Sequence, residues 1–524
     1  MLAVTDLLRR QDPAAPALYY AGRAMTYGEL ERMSARVAGG LSELGIGPGG
    51  RVAMWLPNTP AYLALYLACC RLGAIAVAVN TRFRSLEVAD IVGRSGATVL
   101  AMWPGFRNID FPGLLAEVDP AALARLRAVV TYDEGEDQPA LPAALDKIQR
   151  LSFGELAGAA PRDAVDGDRD SPCNIFTTSG TTKAPKFVLH EQHSIADHAI
   201  EVVDGFGYHE GAMLQALPFC GVFGFTQAAA ALAGGRPMLL QSAFDPGAAI
   251  KLIAEHDVRH LNATDDMLRA LIDAGSLGNI RAVGSAAFNA GFNKLVADCD
   301  AKGINVIGLY GMSEVQALYS RQPDSLPLAD RVQGGGFPVS SLAGVRVRDP
   351  DTGALLPHDQ PGELELKGPS QMAGYDGNPE ATAEAITADG FVRTGDLGHT
   401  CADGRFVYLQ RMGDVLRLGG FLVSPVEIEA HIEQRPEVGH AQVVAVDATA
   451  GRRAFAFVVP ATGAQVSEAE IIAHCQAGLA KFKAPVGVAV LDEFPTAKSA
   501  NGTKIQRGRL REMADEAMRQ RSSA

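Results

Sequence analysis

Between residues 52 and 132 short apolar runs alternate with a stretch of helical length. Val52–Leu56, Ala74–Val79, Val99–Met102 and Val129–Tyr132 read as strands, and Pro60–Leu72 as a helix between the first two. Tyr27-Gly28-Glu29-Leu30 opens another helix. A strand that is apolar throughout has no face to offer water, so both of its faces must be covered. Helices that cross from one such strand to the next cover them and leave the strands parallel. The pattern therefore predicts an α/β fold with largely parallel sheets. The most apolar stretch, 61–79, is interrupted by Arg71-Leu72-Gly73, so it reads as helix, turn and strand and not as a membrane span.

At about 150 residues per domain, 524 residues make two to four compact units. A hydrophobic share of 47% with 20% charged residues suits a globular chain that needs no disulfide or metal staple. The net charge of -13 argues against nucleic acid or anionic lipid as partner, but not against a nucleotide held by local donors. The seven cysteines form no C-x-x-C pair, and no histidine cluster accompanies them in the sequence. They read as buried thiols of a reducing compartment. With no signal peptide legible at the N-terminus, the expected location is cytoplasmic.

After about residue 334 the character changes. Val345–Val347, Gly362–Lys367, Phe391-Val392-Arg393 and Arg405–Leu409 read as short strands between Gly, Pro and Asp turns, which predicts an antiparallel, β-barrel-like subdomain. Gln410–Asp414 reads as a linker. The expected division is therefore 1–411 and 412–524. In the second unit, Ser424-Pro425-Val426-Glu427 is a capping box that starts a helix, and its reading is purely structural.

Five segments carry chemistry. Thr177-Thr178-Ser179-Gly180-Thr181-Thr182-Lys183-Ala184-Pro185-Lys186 follows the apolar Asn174-Ile175-Phe176 and holds five hydroxyls, one glycine and two lysines. Such donors can wrap phosphate oxygens. The Walker pattern is not matched, and from the loop alone a polar surface loop is an equal reading. Gly308-Leu309-Tyr310-Gly311-Met312-Ser313-Glu314 places a ring, a hydroxyl and a carboxylate after the strand-like Val306-Ile307, suited to a base, a phosphate and Mg²⁺. An aromatic at a strand end is more often core. Thr394-Gly395-Asp396 offers a carboxylate for ribose hydroxyls, or a plain turn Asp. Arg411 to Gly420 and Asn501 to Arg507 complete the set.

In their order, these segments resemble the adenylate-forming superfamily of acyl-CoA synthetases, amino-acid-activating domains and luciferases. The resemblance covers nearly the whole chain. Residues 177–186 resemble T-S-G-T-T-G-x-P-K, Tyr310–Glu314 resembles Y-G-x-T-E, and Thr394-Gly395-Asp396 matches T-G-D. Arg411, Gly419-Gly420 and Pro425–Glu429 resemble R-x-K/D-D…G-G…P-x-E-I-E, and Lys504 stands in the place of the family's C-terminal lysine.

The resemblance implies a large N-terminal domain of two α/β subdomains plus the barrel-like one, and a small mobile α+β C-terminal domain. It implies ATP (then AMP), Mg²⁺ and coenzyme A. A carboxylate attacks the α-phosphate of ATP, and a thiol then displaces AMP as the C-terminal domain rotates about a hinge at Gly413 and Asp414. Thr178, Ser179, Gly180, Thr181, Thr182 and Lys186 would cradle phosphates, with Thr181 and Glu314 at Mg²⁺. Tyr310 would stack adenine, with Ser285, Ala286, Gly308 and Gly311 around it. Ser313 would meet the α-phosphate, Asp396 and Arg411 the ribose, and Lys504 the reacting carboxylate and phosphate. Gly419, Gly420 and Phe421 would close on the pantetheine arm.

Four departures stand out. Lys183 replaces a glycine of the loop, Gly413 the hinge Lys or Asp, and Gly308 an Asn or Asp at the adenine amino group. Thr503 separates Gly502 from Lys504. The chain is expected to be a complete acyl-CoA ligase. The alternatives are a ligase that only thioesterifies supplied acyl-AMP, and a non-catalytic adenylate-binding protein.

For the acyl group, Phe219, Cys220, Gly221, Phe223 and Gly224 resemble the family's pocket segment, with Ala287, Met312, Gly335 and Gly336 as further walls. Small residues there predict a bulky acid: polycyclic, terpenoid, alicyclic or aryl. Pro218, Phe219 and Cys220 stand where amino-acid-activating relatives carry an Asp, which disfavours an amino acid. Expected partners are a small carboxylic acid and CoA. A homodimer and a carrier-protein thiol acceptor are left open.

Overall fold

The computed structural model describes residues 2–523 except 108, 179–184, 281, 287–291, 413–415, 419–420, 424, 449–450, 480–482 and 500–501. The apolar alternation at 52–132 builds the centre of an eight-stranded sheet. Its spatial order is 374–375, 187–191, 172–177, 75–78, 51–55, 99–102, 128–131, 149–152. The strand Arg51–Trp55 pairs in parallel with Ile75–Ala78 on one side and Val99–Met102 on the other. Both neighbours are buried throughout, as their unbroken apolar sequences require.

The helix Pro60–Leu72 covers this sheet. Thr59 accepts from the Tyr62 N–H, Pro60 occupies the first turn, and Gly73 ends the helix with a φ of 64°. A five-stranded sheet runs in the order 258–260, 212–215, 238–240, 16–20, 23–26.

The antiparallel strands expected after residue 334 are present, and they continue from parallel ones in a single nine-stranded sheet. Its order is 262–264, 282–286, 305–312, 316–321, 335–338, 406–411, 392–400, 362–367, 344–348. The change of direction falls at Asn305–Met312, which is parallel to Ala282–Ala286 and antiparallel to Gln316–Arg321. Two boundaries differ from expectation. Gly308–Met312 does not follow the strand but forms its C-terminal part, ending at Met312, and Asp396 lies within the strand Val392–Thr400 and not in a turn. Gly395 has a φ of 67° and the register shifts between Leu397 and Gly398, so one irregular strand absorbs the Thr-Gly-Asp segment.

Beyond residue 415 the chain has a core of its own, in which Ile428, Ile432, Val443, Val458 and Ile471 are buried together. A three-stranded sheet of Val438–Ala448, Gly451–Pro460 and Val488–Val490 backs it. Among the described residues no helix is long and apolar enough to cross a membrane.

Candidate active site

The hydroxyl-rich segment connects two antiparallel strands. Thr177 pairs with Phe187, and the Thr178 N–H donates to the Lys186 carbonyl at 3.1 Å, closing the base of the loop. Ser179, Gly180, Thr181, Thr182 and Lys183 lie outside the described residues. Arg94 anchors the base, donating to the Pro185 carbonyl at 2.6 Å with its guanidinium 4.2 Å over the Phe187 ring.

The Lys186 ammonium sits 4.4 Å from the Tyr375 ring centroid, and the Tyr375 hydroxyl donates to Glu314 Oε1 at 2.8 Å. Tyr375 thus joins the loop's last lysine to the candidate Mg²⁺ ligand. Sequence reading missed it. Its only signal was the dipeptide Gly374-Tyr375, which forms a two-residue strand against Phe187–Glu191. Glu314 is buried, and the oxygen that Tyr375 leaves is a hard donor of the kind Mg²⁺ takes.

Asp396 and Arg411 face each other as a cross-strand pair. Arg411 Nη1 lies 3.1 Å from Asp396 Oδ1 and donates to the Thr394 carbonyl. Tyr310 donates its hydroxyl to Asp396 Oδ2 at 2.5 Å. Asp396 is 2% exposed. Burial pushes its carboxyl up to about 6, against the pull of Arg411 and Tyr310 in the other direction. Its Oδ1 is buried and has no aligned hydrogen-bond donor among the described residues, so the Arg411 contact is one of charge alone. A buried acceptor without a donor is what a ribose hydroxyl would complete, so these residues fit a nucleotide. The Tyr310 ring is itself packed, edge-on to Phe406 at 5.4 Å and tilted against Tyr408 at 5.6 Å, with Met312 in the same cluster.

The segment after Tyr310 is held from behind by polar groups that sequence reading did not single out. The buried His190 donates from Nε2 to the Ser313 carbonyl at 2.7 Å, and His198 donates to Ala317 O at 2.8 Å. Burial lowers both rings to about 4, so each is neutral near pH 7 and carries its one proton toward a carbonyl. Gln316 and Leu318, both fully buried, take left-handed φ values of 62° and 59°. Gln316 is pinned by its bond to Ser194 O at 2.6 Å. Gly308 has no room for a side chain, because a Cβ would run into the Gln333 carbonyl. The same is true of Gly311, with the Ala317 backbone behind it. Ser285 pairs with Gly308 and donates to Ala263 O at 3.1 Å, and Ala286 pairs with Thr264.

At the acyl segment, Asn58 clamps the chain. It donates to Leu217 O at 2.9 Å and accepts from the Phe219 N–H at 2.7 Å. Phe219 packs on Tyr62 with ring centroids 5.3 Å apart. Gly221 caps the helix Val222–Ala233, Phe223 is buried, and Cys220 is half-buried with its thiol pushed up to about 12 by burial. Gly224, the pocket motif's own glycine, is confined, and Gly335 and Gly336 do not open space in the way the sequence suggests. A Cβ on them would strike the carbonyls of Pro218, Phe406 and Arg321 respectively, so close backbone approach explains them. Ala287 lies outside the described residues.

The AMP-binding enzyme family matches residues 8–376, and the AMP-binding enzyme C-terminal domain matches residues 427–501. The chain belongs to this family.

Feruloyl-CoA synthase of Amycolatopsis sp is 30% identical over 513 residues, covering 96% of each chain. The 3-[(3aS,4S,7aS)-7a-methyl-1,5-dioxo-octahydro-1H-inden-4-yl]propanoyl:CoA ligase of Mycobacterium tuberculosis is 31% identical over 526 residues, covering 98% of each. Among solved structures, ATP-bound MatB from Rhodopseudomonas palustris superposes with a TM-score of 0.84 at 27% identity, over 98% of this chain and 99% of that one.

In this AMP-binding enzyme the remaining expected residues lie in the C-terminal part. Gly413, Asp414, Gly419 and Gly420 are outside the described residues. Phe421 opens the strand Phe421–Val423, which pairs with Leu416–Leu418. Lys504 lies in the strand Gly502–Ile505, opposite Ala497. The helix that follows is tied to Pro425–Ile432 by the ion pair of Arg507 with Glu429 at 3.0 Å. Five cysteines are buried, but Cys220 and Cys401 are only partly so, because each sits where an element meets the surface.

Proposed function

We propose that this chain converts a bulky carboxylic acid (polycyclic, terpenoid, alicyclic or aryl) to its CoA thioester through an acyl-AMP intermediate. AMP-forming acid–CoA ligase chemistry is common to the family and to relatives matching over the whole length. In the first half-reaction a carboxylate oxygen attacks the α-phosphorus of ATP and the bond to pyrophosphate breaks. In the second, the CoA thiol attacks the acyl carbon, gives up its proton, and AMP leaves. Mg²⁺, when bound, would neutralise phosphate charge beside Glu314. Asp396 and Arg411 would orient the ribose, and the neutral His190 would hold Ser313 where the α-phosphate passes.

The observation that carries this reading is the buried, donor-less Oδ1 of Asp396 beside Arg411 and Tyr310. The substrate class rests on Gly221 at the start of the acyl-segment helix, and on the bicyclic propanoyl group in the name of the 31%-identical mycobacterial ligase. The test is CoA thioester formation over a panel of acids, with mass spectrometry of acyl-AMP retained by the purified chain. Gly221→Trp is expected to cut kcat/KM for a polycyclic acid at least tenfold more than for a short one. Equal losses on both would remove Gly221 from the pocket.

A further inference from the structure

The hairpin that carries Asp396 and Arg411 at one end carries a separate group of side chains at the other. Alternate residues of an extended chain share a face, so His399 and Cys401 project to the same side. The loop around residue 359 runs alongside. Its Asp359 N–H donates to the Thr400 carbonyl at 2.8 Å, and His358 Nδ1 lies 3.0 Å from the Thr400 hydroxyl. This register brings a carboxylate oxygen of Asp359, a ring nitrogen of His399 and the sulfur of Cys401 within 4.8 Å of one another.

His399 Nδ1 is buried and makes no hydrogen bond among the described residues. Asp359 Oδ1 stands 3.7 Å from it, too far to accept a proton. The separation suits a cation between them. With zinc bonds of about 2.1 Å to nitrogen and oxygen, tetrahedral geometry places the two atoms about 3.4 Å apart. Calcium and magnesium sites are built from oxygens, whereas one sulfur, one nitrogen and one oxygen form a donor set for zinc. The neighbouring carboxylate of Asp403 is held by Arg405 at 2.7 Å and is not free to join.

We propose that Asp359, His399 and Cys401 form a zinc site with an open fourth position for water. On binding, the Cys401 thiol gives its proton to solvent and the thiolate takes the metal. Cys401 is five residues along from Asp396, about 15 Å of extended chain, so the zinc takes no part in nucleotide chemistry. It pins the loop at 359 to the end of the hairpin. The half-buried Cys401 thus has company that the linear sequence, with no C-x-x-C pair, does not display.

The test is titration of the chelator-stripped full chain with Co²⁺ in excess Mg²⁺, which fills oxygen-only sites. A thiolate-to-cobalt absorption band saturating at one Co²⁺ per chain and displaced by Zn²⁺ is expected. Cys401→Ser should abolish the band, and His399→Gln and Asp359→Asn should each weaken binding at least tenfold. No band, a band that survives Cys401→Ser, or unchanged affinity in both other variants overturns the site. Should a variant fail to fold by circular dichroism, alkylation of Cys401 in the unaltered chain decides the matter. Protection by Zn²⁺ of tenfold or more supports the site, and labelling at the metal-free rate rejects it.

Discussion

Asp396 concentrates the electrostatics of the candidate site. Burial holds its carboxyl near 6, while the proposed ribose contact requires the ionised form, since both ribose hydroxyls would donate. The folded value lies above the unfolded one, so Asp396 favours the folded state most below the unfolded pKa and loses that contribution as pH rises through about 6. Nucleoside binding runs the other way. Adenosine, which lacks a phosphate titrating in the same range, is expected to bind about tenfold more weakly at pH 5 than at pH 7.5 by calorimetry. His190 and His198, near 4, do not titrate in that window. Tyr310→Phe removes a donor that pulls the carboxyl down, so the midpoint should move to higher pH. A pH-independent affinity would remove Asp396 from the ribose contact. The sequence displayed Asp396, Arg411 and Tyr310 as separate motifs. It did not display that the Tyr310 hydroxyl joins the hairpin pair of Asp396 and Arg411, nor that Tyr375 joins Lys186 to Glu314, because those contacts link segments far apart in the chain.

At the scale of elements, the continuous apolar runs of the first half were legible because a strand buried on both faces has no other composition. Pro60–Leu72 was legible to its ends, which the structure shows fixed by the Thr59 cap, first-turn Pro60 and terminal Gly73. The glycines misled. Gly335 and Gly336 read as space, but each lies against a carbonyl, and sequence alone does not separate absence of a side chain for a ligand from absence for a neighbouring strand. Gly308 is the sharpest case. The family often has Asn or Asp there, yet here the Gln333 carbonyl fills the position. Gly308→Asn is therefore expected to gain no adenine contact and to destabilise the chain by about 1–3 kcal/mol through overpacking. Thermal melting checks this, and an unchanged melting temperature with tighter ATP binding would show that residues 332–333 give way.

At the scale of the whole molecule, the question is whether one chain completes both half-reactions. The C-terminal part has its own core, and Lys504 lies in the strand Gly502–Ile505 of a two-stranded hairpin; in the proposed function this lysine would reach the cleft in only one domain orientation. By the family resemblance, Lys183, Gly413 and Thr503 would bear on the adenylation step, whereas Asp396, Arg411 and Tyr310 would serve both half-reactions. ATP–pyrophosphate exchange and CoA transfer from synthetic acyl-AMP, measured on one preparation, separate the two capacities. Lys504→Ala should lower exchange at least a hundredfold, the order expected for losing a group that stabilises transition-state charge, and leave transfer within a few-fold. If the parent chain already exchanges no better than Lys504→Ala with any acid, yet transfers well, then only thioester formation is active. Lys183→Gly and Gly413→Lys then become the reversions expected to restore exchange. If Lys504→Ala changes neither reaction, Lys504 is not the catalytic lysine, and the single residue between it and Gly502 has taken it out of register.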